Sequence, residues 1–114
     1  MGKQSERLPW HVEQAARDLC ARARARFGAR LRRALLFGSH ARGEGGAASD
    51  VDVFLLVDSL TEKERGELFE TAGQVSIDHL ISVQSFAPLP DEHRWLERHD
   101  CRILRDLTAE GIEL

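Results

Sequence analysis

Residues 36–57 read LFGSHARGEGGAASDVDVFLLV and place a Gly-Ser turn and an Asp-Val-Asp pair between two strongly apolar segments. Successive residues of a β-strand point to opposite faces of a sheet, so Asp50 and Asp52 would project from one side while Val51 and Val53 enter a core. Carboxylates that share a face can share a divalent cation. The pattern therefore predicts a metal-binding pair formed by Asp50 and Asp52.

The turn before this pair has the features of a phosphate-binding loop. Gly38 permits a sharp turn and the close approach of a ligand, and Ser39 adds a small hydroxyl. If the chain becomes helical after Gly38, the N–H groups of the first turn would face an anion such as a triphosphate. Arg42 follows within a turn, and its planar fork of donors suits phosphate oxygens. We therefore expect Gly38, Ser39 and Arg42 to bind phosphate groups.

Each feature has a simpler interpretation when it is taken alone. A lone Gly-Ser pair is usually only a turn, and a lone Asp-x-Asp is more often a solvated strand end. Two neighbouring carboxylates repel each other and do not stabilise the fold. Their position before the apolar run FLLV therefore favours a functional interpretation of Asp50 and Asp52.

The string GSHARG at 38–43, followed by SDVD at 49–52 and a hydrophobic strand, closely resembles the minimal nucleotidyltransferases of the polymerase-beta-like nucleotidyltransferase superfamily. The resemblance covers almost the whole chain. The family signature combines the Gly-Ser turn, the Asp-x-Asp pair and a third carboxylate on a later strand. By this resemblance the third acid is Asp78, in the β-branched run at 75–83. A capping or edge-protecting role is the alternative for this single aspartate.

The fold class expected is α/β (α+β), a small mixed sheet of three to four strands with helices packed on one face. We expect helices from Pro9 to Phe27, at 62–73 and at 91–110. Gly28 should end the first helix, a Thr61/Glu64 capping box should begin the second, and the third should break near Asp100. Strands are expected at Leu31–Phe37, Asp50–Val57 and Val75–Val83, with an edge strand at 112–114. If the second and third strands are neighbours, Asp78 joins the acid pair across the sheet.

Composition sets the outer bounds of the prediction. With 114 residues and 42% hydrophobic content, we expect one domain over 1–114, with a frayed N-terminus at 1–8. A formal net charge of −3 argues against a general nucleic-acid binder. Two cysteines, Cys20 and Cys101, and the lack of a secretory or membrane-spanning run predict a cytoplasmic protein with no membrane partner.

Two further features have competing interpretations. The arginine-rich stretch from Arg22 to Arg33 is a solvated face in the simpler interpretation and a docking patch for an acidic partner or RNA in the sharper one. The five histidines lack the paired spacing of a zinc site. His40 lies inside the signature turn, and we interpret it as a variable loop position in preference to a catalytic base.

The resemblance implies a two-metal mechanism. Asp50 and Asp52 would hold the Mg²⁺ that carries a nucleoside triphosphate, and both would touch a second Mg²⁺ to which Asp78 also belongs; Mn²⁺ suits the same ligands. Asp78 would orient or deprotonate the attacking hydroxyl. Attack at the α-phosphorus, in line with the departing pyrophosphate, would yield a nucleotidylated acceptor.

Larger superfamily members append domains that bind the acceptor, whereas this chain ends after the predicted catalytic core. The acceptor is therefore expected on another subunit or partner. Minimal nucleotidyltransferases commonly pair with a small helical HEPN protein, as antitoxin to a toxin ribonuclease, and the family can transfer AMP from ATP onto a tyrosine of that partner. This chain contains no tyrosine, which excludes tyrosine self-modification.

Two alternatives stay open. One is a nucleotidyltransferase acting on an antibiotic or metabolite in a pocket shared by a homo-oligomer. The other is a catalytically silent module that neutralises its partner by contact. Intact Asp50, Asp52 and Asp78 count against the second alternative, since a pure binder needs no metal cluster.

Overall fold

The computed structural model describes residues 8–44, 46 and 49–114. Its elements, in chain order, are helix α1 (Trp10–Phe27), a 3₁₀ turn (Gly28–Arg30), strand β1 (Leu31–Phe37), strand β2 (Val51–Val57), helix α2 (Glu62–His79), strand β3 (Val83–Phe86), helix α3 (Pro90–Arg98), helix α4 (Arg102–Glu110) and strand β4 (Ile112–Glu113). None of the described helices is long and apolar enough to cross a membrane. The expected frayed segment falls almost wholly on residues 1–7, which lie outside the described residues.

The strands form one mixed sheet in the order β3-β2-β1-β4. Strand β1 pairs antiparallel with β2 and with β4, whereas β2 and β3 run parallel. Phe37 at the end of β1 lies opposite Asp52, and Asp52 lies opposite Gln84 of β3. The end of β1 and the starts of β2 and β3 therefore meet at one end of the sheet.

The two faces of the sheet are covered differently. Helices α1 and α2 pack on one face and bury the main core, which includes Val12, Leu19, Phe27, Leu36, Val51, Val53, Leu55, Leu68, Val75 and Val83. The opposite face carries Leu35 and Phe54, which pack against Leu107 of α4. Because strand residues alternate, Asp52 belongs to this second face and points away from α1 and α2.

Most predicted elements are confirmed. The first helix ends at Phe27, and Gly28 follows it at φ 59°. Strand β1 has the predicted bounds, and the C-terminal edge strand is present as β4 beside β1. The expected break near Asp100 is real, since this residue has φ 48° and lies between α3 and α4. The predicted fold class is confirmed, and α4 adds a partial layer on the second face.

The predicted third strand at 75–83 is wrong. Helix α2 starts with the expected capping box but continues to His79. Leu68, Ala72 and Val75 are all buried, at spacings of four and three residues that match the helical period. Burial of this helical stripe outweighs the strand tendency of the β-branched residues, which is a weak local preference. Asp78 therefore lies on a helix.

Candidate active site

Gly38 lies directly against the carboxylate of Asp52. Its φ is 81°, and a Cβ built on it would stand 2.5 Å from Oδ2 of Asp52. A side chain at this position would collide with the acid, and the left-handed backbone conformation independently favours glycine. The glycine thus lets the backbone leave β1 across the start of β2.

The chain after Gly38 makes one hydrogen-bonded turn instead of the regular helix considered from the sequence. The Arg42 N–H donates to the Gly38 carbonyl at 3.2 Å, and the Glu44 N–H donates to the Ser39 carbonyl at 2.9 Å. Gly43 adopts φ 78°, a conformation that ends a helical path after a single turn. The turn lies against the acid pair through the close contact of Gly38 with Asp52.

Asp50 and Asp52 lie together at the start of β2. Asp52 is half-buried, and its burial, followed by the charge of Asp50, raises its pKa above the ordinary value, although nearby His40 acts in the opposite direction. Among the described residues, no Lys or Arg side chain forms an ion pair with either carboxylate. A cation would relieve this repulsion.

His40, expected from the sequence to be a variable loop position, is 4% exposed and therefore buried. Its Nε2 lies 3.2 Å from the carbonyl oxygen of Ser49, the residue that precedes Asp50. The ring therefore links the Gly38 turn to the residue that precedes the acid pair.

Gln84 is the third side chain at this end of the sheet. It is the register partner of Asp52 across the parallel β2–β3 pair, and its Nε2 donates to Oδ2 of Asp50 at 3.1 Å. The sequence prediction missed Gln84 because it placed the third strand too early. The short run VQSF between the end of α2 and Pro88 is the only local signal of the strand that carries it.

Asp78 does not join this group, and its assignment as the third acid is wrong. Its carboxylate accepts hydrogen bonds from Nη2 of Arg22 at 2.7 Å and from Nε2 of Gln74 at 3.0 Å. The Arg22 guanidinium, and then the Gln74 amide, lower the pKa of Asp78. Arg22 also bonds Asp18 on α1, so this cluster joins α1 to α2 on the face of the sheet opposite to Asp52. The described residues contain no group of three or more acidic, histidine or cysteine side chains arranged to hold a metal.

A cavity of about 310 Å³ opens beside the Gly38 turn, between this turn and α4. Its lining combines two arginines and one aspartate with apolar residues: Phe37, Gly38, Arg42, Arg102, Ile103 and Asp106. Arg42 now pairs with Glu44 at 3.1 Å and Glu110 at 3.8 Å. A cavity of about 550 Å³ between α2, β3 and α3 is larger, but it contains none of the acid pair or the turn.

The arginine-rich stretch is largely neutralised. Arginines from Arg17 to Arg33 pair with acids as Arg17–Glu13, Arg22–Asp18, Arg26–Glu67, Arg30–Glu64, Arg32–Asp58 and Arg33–Glu113. Arg30 and then the Thr61 backbone N–H lower the pKa of Glu64 to about 2. This pairing favours the simpler interpretation, a solvated face, over a basic docking patch.

The chain matches the family model described as a nucleotidyltransferase domain over residues 13–102. It belongs to this family. The matched segment includes the Gly38 turn, the acid pair and Gln84. The prediction of a nucleotidyltransferase, made from the GSHARG and SDVD strings, is confirmed at the level of the family.

A curated relative from Methanocaldococcus jannaschii, "Putative protein adenylyltransferase MJ0141", is 40% identical over 55 residues. The alignment covers 47% of this chain and 56% of the relative, so the chain spans about half the length of the curated relative it matches.

Solved structures of two toxin-antitoxin complexes share the fold. One, described as a toxin-antitoxin with AMP-PNP, has a TM-score of 0.56 and 21% identity over 83% of this chain and 68% of that chain. The other, a mutant of the toxin-antitoxin MntA-HpeT, has a TM-score of 0.55 and 19% identity over 82% of this chain and 68% of that chain. These likenesses confirm the predicted fold class.

Proposed function

We propose that this chain transfers AMP from Mg²⁺-ATP to a hydroxyl group of a partner protein and acts as the antitoxin of a HEPN/MNT toxin-antitoxin pair. The observation that carries the proposal is the Asp50–Asp52 pair, which lies beside the Gly38 turn with no described Lys or Arg paired to it. Asp52 is half-buried, and its raised pKa reflects both this burial and the charge of Asp50. Such a pair gains most from a cation that arrives with a substrate.

The residues fit a hard divalent cation. Mg²⁺ prefers oxygen ligands and commonly binds through one or two carboxylates together with substrate phosphates. Asp50 and Asp52 supply those carboxylates, and Gly38 leaves Oδ2 of Asp52 uncovered where a Cβ would block it. When bound, the metal would neutralise triphosphate charge and make the α-phosphorus more electrophilic.

The Gly38 turn would bind the β- and γ-phosphates through backbone N–H groups and the Ser39 hydroxyl. Arg42 would contribute after exchanging its partly exposed carboxylate partners for phosphate, which costs little because exposed ion pairs are weak. The cavity beside the turn would hold the remainder of the nucleotide, with Phe37 and Ile103 as apolar walls and Arg102 at the rim.

The reaction is a substitution at the α-phosphorus. The acceptor hydroxyl oxygen forms a bond to this phosphorus, the bond to the bridging oxygen of the β-phosphate breaks, and pyrophosphate leaves. The hydroxyl proton passes to water. The residues of this chain hold the triphosphate so that attack and departure occur in line, which converts binding energy into orientation.

The acceptor is proposed from the relatives. The curated relative is named a protein adenylyltransferase, and the structures that share the fold are toxin-antitoxin complexes. These 114 residues contain no tyrosine, which excludes tyrosine self-modification and agrees with an acceptor on a partner protein. We place the reaction in the cytoplasm, where Mg²⁺-ATP is available and where free thiols such as those of Cys20 and Cys101 persist.

The test is transfer of label from α-labelled ATP in the presence of Mg²⁺ and the protein encoded by the neighbouring reading frame. We expect label on the partner with the parent chain and none with Asp52→Asn, provided that the variant keeps the parent's circular dichroism spectrum. Label of equal intensity with the Asn variant would refute the assignment. Label recovered in a small-molecule fraction would favour the antibiotic or metabolite acceptor.

One observation favours a second candidate function. Gln84 stands where the family signature leads us to expect a carboxylate, which suits a chain that neutralises its partner by contact alone. If so, Asp52→Asn would protect cells from the partner's toxicity as well as the parent does. Under the proposed enzymatic function the Asn variant loses this protection.

A further inference from the structure

The position of Gln84 bears on how many metal ions the site can hold. It lies in register with Asp52 on the neighbouring parallel strand, and side chains directly opposite each other on one face of a sheet are close neighbours. A carboxylate at this position would complete a cluster of three acids with Asp50 and Asp52. This chain has a neutral amide there.

The amide is turned so that it serves Asp50 as a donor. Its Nε2 lies 3.1 Å from Oδ2 of Asp50, and the opposite orientation would place two oxygens with partial or full negative charge in contact. The amide N–H of Gln84 therefore forms a hydrogen bond to Oδ2 of Asp50, one of the oxygens proposed to bind the metal. In this orientation the N–H end of the amide, and not its oxygen, faces Asp50, and a neutral amide attracts a cation less strongly than a carboxylate would.

The other described residues offer no substitute carboxylate. Asp78, the acid expected here from the sequence, is held by Arg22 and Gln74 on the opposite face. Within residues 8–44, 46 and 49–114 no group of three His, Cys, Asp or Glu side chains is arranged to hold a metal ion. A second ion would then depend on two carboxylates that already share the first.

We infer that Gln84 limits this site to one divalent cation, held by Asp50 and Asp52 together with the nucleotide. The inference deepens the proposed function and depends on it. It also implies that the proton of the acceptor hydroxyl leaves to water or to a group of the partner, because an amide at position 84 cannot accept it. Gln84 is thus a positioning residue that sets the metal content of the site.

The experiment counts Mn²⁺ ions bound per chain by electron paramagnetic resonance, with saturating AMP-PNP as the probe nucleotide. We expect one ion in the parent and two in Gln84→Glu, which is nearly isosteric and adds the missing carboxylate. Gln84→Asp is a second variant if the longer acid disturbs the strand. The matched control is Gln74→Glu, because Gln74 also donates an amide hydrogen bond to an aspartate but lies on the opposite face. This control is expected to keep one ion.

Thermal melting supplies a readout that does not depend on activity. In EDTA, Gln84→Glu is expected to melt several degrees below the parent because three carboxylates repel, and Mn²⁺ with AMP-PNP is expected to raise its melting temperature more than the parent's. Gln74→Glu should lack the extra rise. Two ions in the parent, or one in both acidic variants at position 84, would overturn the inference alone. No ion in the parent would overturn the proposed function as well.

Discussion

Asp52 and Asp78 are both aspartates in apolar, β-branched surroundings, yet the structure gives them opposite environments. Asp52 is half-buried beside another carboxylate, and its pKa is raised chiefly by burial and then by Asp50. Asp78 is exposed on α2 and bonded to Arg22 and Gln74, and its pKa is lowered by these partners. Asp78 therefore has a cationic partner within the chain, whereas no Lys or Arg among the described residues pairs with Asp52.

Because of this difference, the ionised Asp52 carboxylate destabilises the metal-free protein, whereas the ionised Asp78 carboxylate stabilises it. Two neighbouring carboxylates without a cationic partner destabilise a fold and are typical of functional sites. An aspartate in an ion pair can be explained by the two elements that the ion pair joins. The environment of Asp52, without a described Lys or Arg partner, therefore supports its proposed role more than its place in an Asp-x-Asp string does.

The largest expected effect is on transfer of AMP. Asp52→Asn should lower the transfer rate at least about 100-fold, because a metal ligand contributes several kcal/mol to the transition state. Asp78→Asn should retain the parent's rate within about twofold, the size of effect expected for a surface residue remote from the reacting atoms. Initial rates of label transfer from α-labelled ATP to the partner measure both. If both variants lost the same fraction of the transfer rate, the proposed difference in role between Asp52 and Asp78 would be wrong.

The next effect is on stability without metal. Because the pKa of Asp52 is raised in the folded state, this group binds its proton more tightly when folded and destabilises the protein once pH exceeds that pKa. Asp52→Asn should therefore melt a few degrees above the parent in EDTA at neutral pH. Asp78→Asn, which loses the ion pair with Arg22, should melt slightly below it. Differential scanning calorimetry of the three proteins decides the signs, and a lower melting temperature for Asp52→Asn would reveal a structural role for its carboxylate.

The pH dependence sharpens the same comparison. The lowered pKa of Asp78 gives a stabilisation that is complete above its ordinary value of 3.8 and lost as pH falls through the folded-state value. The raised pKa of Asp52 gives the reverse, a penalty absent below 3.8 that grows as pH rises through the folded-state value. Free energies of unfolding, from urea titrations between acid and neutral pH, should show the two Asn variants diverging from the parent in opposite directions. Parallel curves would show that the two environments do not differ in this way.

The smallest effect concerns the Gly38 turn. Ser39→Ala should weaken the affinity for AMP-PNP with Mg²⁺ by about 1 kcal/mol, roughly fivefold, because one hydrogen bond to phosphate is lost. Its melting temperature should match the parent's. Ser85→Ala serves as the control, since Ser85 follows Gln84 and alternates to the other face of β3. If Ser39→Ala unfolds at a clearly lower temperature instead, the hydroxyl caps the turn and does not serve the ligand.

The sequence predicted the half of the fold that local signals specify. Gly28, the Thr61/Glu64 capping box and Asp100 each mark an element boundary through backbone geometry, and each boundary is confirmed. The Gly38 turn and the acid pair were also identified, because the spacing of two along a strand fixes their common face. In contrast, the end of α2 was misplaced, because the strand tendency of a β-branched run competes with burial that only the tertiary structure decides.

The rest of the site depends on contacts between distant segments. Gln84 belongs to it through the register of β2 against β3, and Arg102 and Ile103 belong to its cavity through the packing of α4 on the second face. His40 is likewise defined by its contact with the Ser49 carbonyl, which no local pattern indicates. Such residues carry no motif of their own.

The central claim is that Asp50 and Asp52, and not Asp78, hold the cation that carries the nucleotide. Paramagnetic NMR tests it most directly, with ¹⁵N-labelled protein, saturating AMP-PNP and substoichiometric Mn²⁺. The account predicts that the amide signals of Gly38, Asp52 and Gln84 lose intensity at the lowest Mn²⁺ concentrations, while those of residues 74–79 persist. Early loss of the signals at 74–79 with those of Gly38 and Asp52 preserved would place the cation at Asp78 and contradict it.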